Sequence, residues 1–346
     1  MADGAGTPGG KELRRRWRAR NGRLCREGMR AVRALNGLFA LYKPPGVHWK
    51  RVRDTVEANL LKDLNSAECP RPEYQIRFLP TVTQGVNGTE TNLTVTQLPV
   101  LANHPRVRGP KFSRLKVGAG DRLDYRSSGV FVLAVGSGNK QLSYLHDCHL
   151  TKEYTVKGSF GMATEDFTET GRLIEKTTYD HITRDSLERI IAVIQGSHQK
   201  ALIMYSGIDL QSQEAYELAC QGMLRPMNKS PPIITGIRCI EFCLPNFILE
   251  VQCVHETQQY LRKIVHEIGL ELKSSAVCTS VRRTRDGIFT LDDALIRTNW
   301  KLQSISIAIQ RNQPRVEAAL LKDSWRHSDI SEEDMPAGLL QRFPVP

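Results

Sequence analysis

From residue 37 onward, apolar positions fall into short continuous runs and helical stripes divided by turn-forming residues. The run GLFALYK (37–43) ends on Pro44-Pro45-Gly46 and predicts a strand stopped by a rigid turn. Val52, Val56, Leu60 and Leu64 fall on every fourth residue and predict a helix over 50–64. Residues 65–110 change character. Rich in Pro, Thr, Asn and Gly, they predict an inserted excursion, irregular or a small hairpin, with strands at YQIRFLP and TNLTVTQLP.

The turn-rich stretch KVGAGDRLDYRSSG then feeds a strand, VFVLAVG, followed by a helix near 139–148 and a strand in KEYTVKGSFG. Thr183 is positioned to cap a helix over 183–195, with Leu187, Ile190, Ile191 and Ile194 on its apolar side. AYELACQG predicts another helix. GIRCIEFC and NFILEVQCV alternate around a Leu-Pro-Asn turn as a hairpin, a long helix covers 257–273, and AVCTSVRRTRDGIFTLDDAL predicts a strand and a short helix. Strands and helices mix without a regular βαβ rhythm, which predicts an α+β fold built on a mixed sheet with helices against it. The polar, Pro-containing segment 311–346 is expected to be loosely packed.

The net charge of +11 adds less than it first suggests. Residues 1–36 hold ten Lys/Arg against three Asp/Glu, a balance of +7, so the remaining 310 residues carry +4. Leu13, Trp17, Leu24 and Ala31 recur there at near-helical spacing among arginines, the pattern of an organellar transit peptide, with a plain RNA-binding tail as the rival reading. The eight cysteines are scattered without a CxxC pair, which favours free thiols in a reducing compartment over a disulfide framework or zinc site. No apolar run reaches the roughly 20 residues of a membrane span. The phosphate-loop, dinucleotide, HExxH, GxSxG and zinc-deaminase signatures are all missing, so the expected chemistry runs on side chains, without a cofactor.

Three segments carry that chemistry. KVGAGDRLDYRSSGVFVLAVG (116–136), LTKEYTVKGSFGMATEDFTETGRL (150–173) and VQCVHETQQYLRKIVHEIGLELKSSAVCTSVRRTRDGIF (251–289) resemble, in order, the central, second and closing motifs of the TruB pseudouridine synthases, in particular their vertebrate mitochondrial members. LYKPPG and AYELACQG add lesser matches, so that the resemblance spans about residues 37–296. It implies the pseudouridine synthase fold, a central mixed, mostly antiparallel sheet with flanking helices and an active-site cleft. It also implies isomerisation of RNA uridines, in mRNA, rRNA or tRNA, by a catalytic domain over 37–310.

In that resemblance Asp124 takes the place of the catalytic aspartate, as nucleophile or as general base. Tyr154 stands for the tyrosine that stacks on the base, and Arg262 for the arginine paired with the carboxylate. Lys43 is expected to buttress the turn under the site and is grouped with the substrate-binding residues. Arg282, Arg283 and Arg285, on a strand end, are expected at phosphates or as ordinary surface charge. The chain departs from the family pattern at Ala119, where a histidine is usual, and at Asp121, where glycine is usual. These departures point to altered RNA recognition. They motivate the alternative of a non-catalytic RNA chaperone or assembly factor. A C-terminal PUA domain, present in bacterial relatives, is not expected. The mitochondrial matrix is the expected compartment, with the cytoplasm or nucleus as the alternative, and RNA and other mitochondrial RNA-processing proteins are the expected partners.

Overall fold

A computed structural model describes residues 35–67, 74–85, 88–100, 107, 109, 112–206, 212–220, 224–226 and 230–324. The expected transit segment, the end of the tail beyond 324 and parts of the 65–110 excursion lie outside the described residues.

The chain divides into two units, one of residues 35–56 and 116–324, the other centred on 57–115. In the first, strands β1 (Gly37–Lys43), β4 (Val117–Ala119), β5 (Ser128–Val135), β6 (Lys152–Phe160), β9 (Ile233–Cys243), β10 (Asn246–Val254), β11 (Ala276–Asp286) and β12 (Phe289–Thr290) form one sheet. Its main order is β1-β5-β11-β6-β10-β9. All of its ladders are antiparallel except β5 with β11, which run parallel through Arg282–Ser128 and Arg283–Gly129. The sheet is therefore mixed and mostly antiparallel, as the sequence predicts. Every residue of β5 is buried, which explains its unbroken apolar run rather than an alternating one. A separate pair, β7 (Met162–Thr164) and β8 (Leu173–Lys176), stands beside it.

Among the described residues, four helices of the first unit pack against its sheet. Between α1 (Trp49–Ala67) and the last helix lie α2 (Gly138–Asp147), α3 (Arg184–Ser206), α4 (Gln213–Cys220) and α5 (Gln258–Glu271). α3 packs on β9 and α5 on β11. Val52, Val56, Leu60 and Leu64 of α1 are all buried, so the four-residue stripe marks a true helix face. Thr183 and Ser186 exchange hydrogen bonds at the start of α3 (3.3 and 3.1 Å), and the helix runs to Ser206, well past the expected end at 195. In the second unit, the excursion contains a regular hairpin of two twelve-residue strands, β2 (Tyr74–Gly85) and β3 (Gly88–Pro99).

The expected loose segment from 311 is corrected as far as 324. Helix α6 (Leu302–Ser324) crosses residue 311 without interruption and packs on β1. Ile305, Ile309, Asn312 and Val316 are buried along one face, and Val316 joins a core of Leu38, Ala40, Val130, Val132, Ala134 and Phe289. Pro314 removes one backbone donor, yet burial of this stripe on both sides of it holds the helix together.

Candidate active site

The site is built on the loop between β4 and β5, where Leu123 is fully buried and anchors an Asp124 whose side chain is one-third exposed. The Asp124 Oδ1 accepts a hydrogen bond from the Ser127 N–H at 2.8 Å, a local turn closed by the side chain. Arg262 of α5 donates through Nη2 to Asp124 Oδ2, and the same nitrogen lies 3.5 Å from Ser127 Oγ. One turn earlier on that helix, Gln258 Oε1 accepts the Asp124 main-chain N–H at 3.2 Å. Residues four apart share a helix face, so α5 grips both the backbone and the carboxylate of residue 124. The helix starts at Thr257, whose side chain accepts from Tyr260 N.

The electrostatics favour an ionised Asp124. Burial pushes its carboxyl pKa up, but the Ser127 hydrogen bonds and the charge and hydrogen bond of Arg262 outweigh it and hold the group below the ordinary carboxylate value. Arg262 is itself only 12 % exposed, so solvent screens the pair weakly.

Gly129 fixes where this loop meets the sheet. Its φ is +114°, and a Cβ there would stand 2.1 Å from the Arg283 carbonyl oxygen and 2.7 Å from its nitrogen. The Ser-Ser-Gly wording thus has a steric reason: β5 can cross β11 this closely only without a side chain.

The other predicted residues fall in different places. Lys43 is fully buried and donates through Nζ to the carbonyls of Ser127 (2.7 Å) and Pro44 (3.2 Å). It buttresses the turn, as expected, but its grouping with substrate-binding residues is corrected, since it has no surface to offer. Burial lowers its pKa to about 8, against the raising influence of Asp124. Arg283 is also fully buried, bonded to the carbonyls of Val130 and Asp121 (both 2.8 Å) and 3.3 Å from Asp286. The expectation that Arg283 meets a phosphate is therefore corrected. It is a strut between β11 and the loop. Arg282, its exposed neighbour, lies over the Tyr42 ring at 5.6 Å.

Tyr154 is fully buried, and its hydroxyl donates to Glu256 Oε1 at 2.5 Å. The expected open face for a base is not what the structure presents, because the ring is covered on all sides. It is nonetheless tied to the same stretch of chain as Asp124: Glu256 takes Tyr154, Gln258 and Arg262 take Asp124. Burial raises the Glu256 pKa, partly offset by Lys152, whose Nζ is 3.5 Å away. Lys152 also meets Asp121 at 2.5 Å, and His146 meets Asp121 at 3.2 Å. A cavity of about 580 Å³ opens beside this cluster, lined in part by Asp121, Arg122, His146, Lys152, His255 and Asp286. Neither Asp124 nor Tyr154 is among its lining residues. Among the described residues no helix is long and apolar enough to cross a membrane, and no group of three His, Cys, Asp or Glu side chains could hold a metal ion.

Sequence reading missed Ser127, Glu256 and Gln258. For Gln258 a signal existed: it precedes Arg262 by four residues on a helix already predicted to face the carboxylate.

Comparison with known proteins agrees with the expected class, an RNA-modifying isomerase. Residues 109–259, which hold Asp124 and Tyr154, match the model of the TruB family pseudouridylate synthase N-terminal domain. The chain is 64% identical over 285 residues to the mitochondrial pseudouridylate synthase TRUB2 of Xenopus tropicalis, covering 82% of this chain and 88% of that one. To the human TRUB2 it is 60% identical, covering 85% and 89%. The chain belongs to the TruB family of pseudouridylate synthases. Among solved structures, the archaeal box H/ACA sRNP Nop10-Cbf5 complex is 16% identical over 84% of this chain and 59% of that one, at a TM-score of 0.42, which is a weak likeness.

Proposed function

We propose that this chain isomerises specific uridines of RNA to pseudouridine, with Asp124 as the catalytic carboxylate and Arg262 as its partner. The observation that carries the proposal is the Arg262–Asp124 ion pair, made across 138 residues of sequence and leaving the carboxylate one-third exposed. In the reaction the N1–C1′ bond breaks, the uracil turns, and C5 joins C1′. C5 gives up its proton and N1 gains one, so nothing is consumed. The target nucleotide has to leave the stack first, because these atoms are shielded in a helix. An ionised carboxylate can then attack or support the electron-poor sugar carbon, or assist proton removal. Arg262 keeps it charged and oriented. Tyr154 meets the base in this reading only after the groups covering its ring part, so that uncovering it belongs to the binding step. Base–aromatic stacking of about 1–3 kcal/mol would then retain the detached uracil.

The relatives are named as mitochondrial enzymes, and we propose the matrix and its RNA-processing proteins as the setting. The departures at Ala119 and Asp121 favour a second reading, an RNA chaperone that retains the fold. Mapping pseudouridine across cellular RNA with and without the protein separates the two. Sites that vanish with the protein and return with the wild-type chain, but not with Asp124→Asn, support the enzyme. Restoration of the cellular phenotype by Asp124→Asn supports the chaperone.

A further inference from the structure

The Lys-Pro-Pro-Gly turn is fastened to the catalytic loop, for the Gly46 N–H donates to the Tyr125 carbonyl at 2.8 Å. Two residues on, the His48 ring accepts from Lys50 N (3.2 Å) and opens helix α1. This fixes Trp49 beside the loop that carries Asp124. Three cations surround the indole: the Arg122 guanidinium at 4.9 Å from the ring centroid, Arg53 at 5.7 Å and the Lys50 ammonium at 5.8 Å. Arg122, Lys50 and His48 are exposed, Trp49 is half-buried, and Tyr125 is 58% exposed. Asp54, the acidic neighbour, is taken up by Arg53 at 2.7 Å.

We propose that Trp49, Arg122 and Lys50 form a subsite for unpaired nucleotides flanking the target uridine, the indole stacking on a base and the cations meeting its phosphates. This rests on the reading of the chain as a pseudouridine synthase and names how that site holds its RNA. Cations interleaved with aromatic rings are the chemistry of single-strand binding, since every base has a face to stack while its backbone carries the charge. Arg122 stands two residues from Asp124, at most about 7 Å along the chain. A base on this patch therefore neighbours the uridine at the carboxylate. A base stacked inside a duplex offers no free face, so the subsite selects single-stranded flanks.

The test is equilibrium binding of the full chain to a short unstructured uridine-containing oligoribonucleotide and to the same sequence in a duplex, across a salt series. Trp49→Leu is expected to weaken single-strand binding about tenfold, and Trp49→Phe to restore most of it. Arg122→Gln is expected to flatten the slope of log affinity against log salt by about 0.7, one phosphate contact. Melting curves check that Trp49→Leu is folded, and if it is not, Arg122→Gln carries the test. Wild-type affinity and salt slope in these variants would overturn the subsite, and an equal loss on the duplex would overturn its preference for unpaired RNA. If instead Trp49→Leu loses binding while Asp124→Asn still makes pseudouridine, the subsite stands and the catalytic assignment falls.

Discussion

Gln258 holds the main chain of Asp124 one helical turn before Arg262 holds its carboxylate. A single rigid helix thereby sets both the position and the direction of the acid. Replacing Gln258 by Met leaves the Asp124 N–H without its acceptor, a cost of about 1–3 kcal/mol when such a group stays buried. We expect the single-turnover rate at saturating RNA to fall about tenfold with KM little changed. Gln258→Glu keeps the acceptor and shape but adds a second carboxylate beside Asp124. It should therefore lose less only at pH well above both carboxyl groups, with its acid limb moved to higher pH. Equal loss in both variants would mean that bulk, not the hydrogen bond, matters.

Arg262→Met should move the acid limb of activity to higher pH. In the wild-type chain burial raises the Asp124 pKa and the Ser127 and Arg262 interactions lower it by more, so the net folded value lies below the unfolded one. Such a group contributes stability above its unfolded pKa of about 3.9, and that contribution is lost as pH falls through the folded value. Without Arg262 only the Ser127 hydrogen bonds oppose burial, so the folded pKa rises and the contribution to stability shrinks. The pH–rate profile of kcat/KM and the urea midpoint at acid pH check this, and an unmoved acid limb would speak against Asp124 as the titrating group.

Gly129→Ala should be severely destabilising, by more than about 4 kcal/mol, because its Cβ has no room against Arg283 and its φ is unfavourable to any other residue. Gly196, in the middle of α3, is the control: nothing lies within 4 Å of the point where a Cβ would stand, and Ala there should stabilise by up to about 1 kcal/mol. Urea midpoints of the two variants give the comparison directly.

Asp293→Ala tests the attachment of α6. Asp293 Oδ2 accepts from Thr290 N (3.1 Å) and Arg315 Nη1 (2.7 Å), and its side chain is nearly buried. A loss of about 1–3 kcal/mol is expected near neutral pH. The difference should shrink in acid, because burial raises the Asp293 pKa but the Arg315 and Thr290 hydrogen bonds bring it below the ordinary value.

Much of this fold was legible because burial leaves periodic marks. The every-fourth-residue stripe of α1 and the unbroken apolar run of β5 each report a face, or two faces, turned to the core. Helix α6 left the same mark at Ile305, Ile309, Asn312 and Val316, but Pro314 and the charged exposed side obscured it. The site was legible only where the family wording reached. Asp124 and Arg262, singled out by that wording, are in contact. Arg283 misled, and Lys43 was grouped with the wrong residues, because long cationic side chains are usually at the surface, and only the three-dimensional packing reveals that carbonyl oxygens receive them. Glu256 carries no local signal at all, since its partner Tyr154 is 102 residues away.

The most direct measurement is pseudouridine formation by the Asp124→Asn chain on an RNA that the wild-type chain modifies, with RNA affinity measured alongside. The ion-paired carboxylate predicts no detectable product, with affinity close to wild type and a chain that still melts cooperatively, at a temperature lowered by the lost ion pair. Product at the wild-type rate would contradict it.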